Sequence, residues 1–199
     1  MTMPDDTFPT PELLARLAAG DRAAFAAVVD TWQRPLAGFL GRMGLPPARV
    51  EELVQDSFVR VWLNIGQYRP AQARFSTWLY TIAHRLALNE LDRAAHRHEQ
   101  AAPAGADPDA PGLDAACPEP GPPGQLARRR RQALLQSALR RLAPEDRSVL
   151  ALAYVQELSL ADIARIEDCS AAAVRTRLWR ARQRLREMLG PDLEDDHDA

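Results

Sequence analysis

A chain of 199 residues with 46% hydrophobic content and a formal net charge of −2 has enough apolar material for one domain or two small ones. Its two cysteines, Cys117 and Cys169, are too few and too unpatterned for a disulfide framework or a zinc site. The acidic start MTMPDDTFPT lacks the basic head and apolar run of a secretory signal, and no apolar stretch approaches the length of a membrane span; a soluble, cytoplasmic chain without membrane insertion is expected.

Helix-period apolar runs recur over residues 13–19, 24–43, 50–65, 77–96, 126–142, 145–156, 160–166 and 171–189, with no alternating strand of convincing length. The expected fold class is all-α. Gly20 and Gly44 suit helix ends, Pro144 a first turn, and Ser76, Ser159 and Ser170 stand where N-caps are wanted. In PARVEELVQDSFVRVWLNI, the residues Val50, Val54, Ser57, Phe58, Val61 and Ile65 make one apolar face. Val59 and Leu63 fall on the other side, among Glu52, Gln55 and Asp56. Two apolar residues in register within an acidic stripe point to a protein interface.

In RFSTWLYTIAHRLALNELD, Phe75, Leu79, Ile82 and Leu86 form an apolar stripe, leaving Trp78, Tyr80, Thr81, His84 and Arg85 on its edges and the remaining face. Aromatic rings among hydrogen-bond donors suit unpaired bases, which stack at about 1–3 kcal/mol each. A core or boundary role for Trp78 accounts for that ring equally well.

Residues 1–100 are balanced in charge, with 11 Arg and 11 acids. Residues 101–125 hold seven prolines, four glycines and four acids with no apolar period, and read as a flexible linker. Residues 126–190 then carry 14 Arg against seven acids, followed by a tail, 191–199, with five acids. The nearly neutral total conceals a basic module.

Within that module, LSLADIARIEDCSAAAVRTRL has helix-turn-helix spacing: a short helix from Leu160, small Ala164 where two helices meet, a turn over residues 167–170, and Val174 returning to the core. Asp168 occupies the turn position that favours Gly, tolerable because Asp accepts left-handed backbone. On the second helix Val174, Leu178, Ala181, Leu185 and Met188 share one face. Six arginines flank it, with Thr176, Trp179 and Gln183 midway on the outward side. Ala171, Ala172, Arg175, Thr176 and Trp179 are placed to meet base edges in a major groove, and Arg177, Arg180 and Arg182 to meet phosphates.

Taken in order, VEELVQDSFVRVW, ARFSTWLYTIAHRLALNEL, a spacer, LRRLAPEDRSVLALAYVQELSLADIARI and AAAVRTRLWRARQRLRE resemble the bacterial sigma factors of the extracytoplasmic-function type across nearly all of both modules. The resemblance implies that residues 1–100 form the family's region two, which grips the clamp helices of RNA polymerase core and melts the minus-ten element. Residues 126–190 would form region four, which reads the minus-thirty-five element and touches the polymerase flap. It places the clamp contact on Glu52, Leu53, Gln55, Asp56, Val59 and Trp62. The minus-ten reader falls on Arg74, Ser76, Thr77, Trp78, Tyr80, Thr81, His84, Arg85 and Asn89. The minus-thirty-five reader takes in Ser170 with Ala171, Ala172, Arg175, Thr176, Arg177, Trp179, Arg180 and Arg182. Promoter DNA, core polymerase and an anti-sigma factor are the implied partners; no cofactor, metal or catalytic residue is expected.

Arg85, Asn89 and Asp92 depart from the family's usual Asn, Asp and basic residues, and Ala172 and Ala173 from its usual Gly and Thr, so base preference does not carry over. His96, His98 and Glu99 lack the one-turn spacing of a metal site and border the linker. Cys169 suits a small hydrophobe in the turn, and a redox role for either cysteine has little support. Two other readings stay open. A helix-turn-helix regulator would bind duplex without polymerase. A metal-dependent nucleic-acid enzyme is disfavoured by the lack of ligand clusters.

Overall fold

The structure is a computed structural model that describes residues 8–101 and 123–190. The middle of the Pro/Gly-rich linker, Cys117 and the acidic tail lie outside the described residues. Among the described residues eight α-helices follow in chain order: α1 (Pro11–Ala18), α2 (Arg22–Arg42), α3 (Pro47–Asn64), α4 (Phe75–Ala101), α5 (Pro123–Arg140), α6 (Pro144–Tyr154), α7 (Leu160–Ile166) and α8 (Ala171–Leu189), with one 3₁₀ turn at Ile65–Gln67. No strand occurs among the described residues.

The helix ends follow local chemistry. Ser159 and Ser170 accept hydrogen bonds from the amides of Asp162 and Ala173, satisfying donors that the first turns of α7 and α8 leave open. Thr10 and Asp21 do the same for α1 and α2. Pro144 stands in the first turn of α6, where a missing N–H costs nothing. Asp168 is in the left-handed region at φ 52°, as its turn position requires. Ser76 is a correction: α4 begins at Phe75, so Ser76 sits buried inside the first turn instead of capping it.

The first four helices pack around Trp32, Leu36, Phe39, Leu40, Phe58, Val61 and Leu79. Trp32 and Phe39 close edge-on around the Tyr80 ring, with centroids at 6.2 and 5.2 Å, a geometry favoured by the ring quadrupole. Arg49 of α3 and Arg97 of α4 both bind the buried Glu90 carboxylate, at 2.6 and 3.0 Å. In the second half, Val149, Leu152, Ile163, Ile166, Val174, Leu178 and Ala181 join α6, α7 and α8. Helix α7 also lies along α4, and α6 meets α2, so one apolar core runs through both halves.

Candidate nucleic-acid interface

The seam read from the sequence of α8 is the buried one: Val174, Leu178 and Ala181 are fully enclosed, and Leu185 and Met188 pack at its edge. The helix-turn-helix that holds it is closed by the Cys169 amide donating to Ala164 O at 2.9 Å. This geometry projects Ala171, Ala172, Arg175, Thr176, Trp179, Arg180 and Arg182 into solvent. Trp179 is 55% exposed, too open for a core residue of its size. Arg182 donates to the Tyr154 hydroxyl at 3.2 Å while staying exposed.

Arg177 departs from the phosphate role expected of it. Its guanidinium turns inward and donates to Glu167 Oε2 at 2.9 Å. Glu167 is buried and also accepts from Ser148 Oγ at 2.6 Å, and burial raises its pKa above the ordinary carboxylate range. A carboxylate withdrawn from water requires a cation, and Arg177, one turn into α8, supplies it. Arg184 likewise binds the buried Asp146 at the start of α6. The arginine run therefore divides into Arg177 and Arg184, which pair with buried carboxylates, and arginines on the outward face, a division invisible to helical periodicity.

On α3 the expected surface is largely present. Glu52, Gln55 and Asp56 are exposed, with Val59 at 53% and Leu63 at 72%. Leu53 is a correction: at 4% exposure it belongs to the core, because α3 is covered by α2 on one side and α4 on the other. Trp62 is half-buried, edge-on to Phe25 at 5.0 Å.

The α4 face is changed most. Arg74, Arg85 and Asn89 are exposed, and Trp78 and Thr81 are partly so. Ser76, Thr77, Tyr80 and His84 are buried, against the expectation that Tyr80 and His84 lie off the core. The Tyr80 ring belongs to the first core, and its hydroxyl donates to Gln156 Oε1 at 2.5 Å; burial raises its pKa. Thr77 Oγ1 donates to Asp162 at 3.0 Å. The His84 imidazole lies 3.3 Å from Glu167 Oε1. Burial lowers its pKa to about 4, against the hydrogen bond to the Ile166 backbone. Sequence reasoning missed Tyr68, whose ring lies 5.3 Å from that of Trp78 and 5.8 Å from Phe75. Its position in the connection before α4 gives it no helical register from which to find it.

Among the described residues no group of three or more His, Cys, Asp or Glu could hold a metal ion, and no helix is long and apolar enough to cross a membrane. Residues 28–97 match the family model for sigma-70 region 2, and residues 132–185 that for sigma-70 region 4. The ECF RNA polymerase sigma-E factor of Haemophilus influenzae is 30% identical over 187 residues, covering 90% of this chain and 94% of the relative. CnrH, solved in complex with the cytosolic domain of CnrY, superposes with a TM-score of 0.62 at 27% identity, covering 89% of this chain and 95% of that one. The sigma factor RpoE, solved with the anti-sigma factor NepR from Bartonella quintana, has the same fold at a TM-score of 0.62 and 20% identity, covering 84% of this chain and 98% of that one. With regions 2 and 4 both matched in order and the likeness running through most of the chain, the protein belongs to the sigma-70 family as an RNA polymerase sigma factor of the ECF type.

Proposed function

We propose that this sigma factor carries RNA polymerase core to particular promoters and opens them in the cytoplasm, with no catalysis of its own. Residues 1–100 form the core-binding and minus-ten module, 101–125 the tether, 126–190 the minus-thirty-five module and 191–199 an acidic tail. Glu52, Gln55, Asp56 and Val59 meet the clamp helices, joined by Trp62 at the edge and Leu63 one turn on, while Leu53 supports that helix from beneath. Arg74, Trp78, Thr81, Arg85 and Asn89 read the opened minus-ten strand, with Tyr68 beside Trp78 extending the surface on which a base can stack. Thr77 and His84, paired with α7, serve that reader only where α7 does not cover them, and the buried Ser76 and Tyr80 support the helix from within.

The observation that carries the reading is the outward face of α8. A buried apolar seam holds the helix while Arg175, Thr176, Trp179 and Arg180 stand exposed at and beyond its N-terminal half, the part of a recognition helix that enters the major groove. Ala171 and Ala172 keep the entry narrow, Ser170 caps it, and Arg182 reaches a phosphate. The family likeness to CnrH, solved with a protein partner, supports control by a bound anti-sigma factor.

Permanganate footprinting with reconstituted core polymerase tests the proposal. Strand opening is expected only when this protein, core and promoter are together. Stable operator protection by the protein alone, unchanged by core, would instead establish a helix-turn-helix regulator.

A further inference from the structure

Between α2 on one side and α5 and α6 on the other lies a groove of about 860 Å³, within the range of about 300–1,000 Å³ that small-molecule sites occupy. Gly38 and Gly41, near the end of α2, form its floor. Leu135 and Leu139 of α5 and Leu150 and Val155 of α6 form its walls. Arg42, Arg140 and Arg147 also line it, and among the described residues no aspartate or glutamate does.

The charges gather at one end. Arg147 donates to the carbonyl of Arg140, the last residue of α5, at 3.0 Å. Its guanidinium also lies against Gly44 just past α2, where any Cβ would stand 2.7 Å away, so it faces the negative poles of two helices. Those dipoles compensate it incompletely: burial lowers its pKa below the ordinary arginine value, although Glu145 acts on it across space, and its Nε is buried without a hydrogen-bond partner. A partly desolvated cation of this kind favours an anion beside it. From Arg147 to Val155 the groove follows α6 for about 12 Å. Gly41 supplies an independent sign. It lies inside α2, outside the left-handed backbone that Gly44 adopts, and an added Cβ would meet nothing of the chain within 4 Å. Neither backbone conformation nor packing within the chain calls for glycine there, and glycine weakens a helix relative to alanine. Bare backbone in the floor lets an aliphatic chain lie close against α2.

We propose that this groove binds a free long-chain carboxylate, its headgroup on the arginines where α2 and α5 end and its alkyl chain along α6 over Gly41. A guanidinium meets a carboxylate through two parallel hydrogen bonds, and the apolar walls take the chain. One cationic end and one apolar body match a molecule with a single anionic head and a single tail; an acidic helix of a protein partner carries its charges along its whole length. Because the walls come from both halves of the chain, the ligand stabilises their packed arrangement by mass action. The site stands apart from the residues assigned to DNA and polymerase.

Isothermal titration of the full chain with sodium dodecanoate, below its micellar concentration and with helicity followed by circular dichroism, tests the site. One dodecanoate should bind per chain. Decanoate, shorter by two methylenes, should bind about fifteenfold more weakly. Dodecyltrimethylammonium, with the same chain and the opposite charge, should bind at least about tenfold more weakly, and Arg42→Gln with Arg140→Gln should weaken dodecanoate by about tenfold. Gly41→Leu fills the floor with a better helix former and should abolish binding at full helicity; Leu135→Glu, at a wall position 41% exposed, serves if that variant loses helicity. Undiminished binding in the groove-filling variant or in the arginine variant, or equal affinity for the two headgroups, would overturn the proposal. So would an absence of dodecanoate binding, which would leave the groove to a protein helix.

Discussion

Arg177→Ala distinguishes an inward structural arginine from an outward phosphate contact. The substitution leaves the Glu167 carboxylate, whose side chain is 2% exposed, with Ser148 as its remaining hydrogen-bond donor. Breaking a fully buried pair costs about 3–5 kcal/mol, and an exposed one about 0–1. The Arg177 side chain is 36% exposed, so water screens part of the interaction and a loss of about 1–3 kcal/mol is expected. For a chain of this size that lowers the melting temperature by about 3–10 °C, measured by the helical circular dichroism signal. Arg180→Ala, on the same helix but exposed, should leave the melting temperature within about a degree and reduce the salt slope of log affinity for DNA by about one. Glu167→Gln in the Arg177→Ala background should recover part of the lost stability, because the amide no longer needs a cation. An unchanged melting temperature in Arg177→Ala, with a salt slope reduced as in Arg180→Ala, would refute the inward pairing and return Arg177 to the phosphate contacts.

Val59→Ala with Leu63→Ala should weaken core polymerase binding by about 2 kcal/mol, roughly thirtyfold, from apolar area buried in the complex; a comparable loss of chain stability instead would show that the pair is not surface. Arg175→Ala should cost about 1–3 kcal/mol on the preferred minus-thirty-five sequence and relax preference at one position, whereas a uniform loss across all duplexes would reduce Arg175 to an electrostatic handle. Hydrogen bonds from Arg49 and Arg97 hold Glu90 below its ordinary pKa, so its contribution is complete above that ordinary value, near 4.5, and drains away as pH falls through the lowered one. Glu90→Gln should therefore be less stable than wild type at pH 7 and converge with it in acid; a gap that stays constant down to pH 2 would rule out the carboxylate as its source.

Much of the fold was legible because each helix carries its own signals. Ser159, Ser170 and Pro144 mark starts by local chemistry, Asp168 marks the turn, and the seam of α8 is a single i, i+3, i+4 stripe that can be read from the helix alone. Val59 and Leu63 were legible for the same reason: an apolar residue among acids on an otherwise polar face is conspicuous within a single helix. Leu53 shows where that reasoning stops, since α3 touches both α2 and α4 and so has a wider buried face than one apolar stripe predicts. Helix α4 carries this further. Phe75, Leu79 and Leu86 announce one face, while Ala83 and Ala87 admit a second close approach without an obvious signal. The residues beside them, Thr77, Tyr80 and His84, are of types that suit either a nucleic-acid surface or a satisfied polar interface. Their partners Gln156, Asp162 and Glu167 lie some eighty residues away across a linker, at positions whose sequence gives no sign of contact. The ambiguity has a physical basis: groups that hydrogen-bond to another helix are of the same types as those that hydrogen-bond to DNA, so such a face looks the same in sequence whichever occupant holds it.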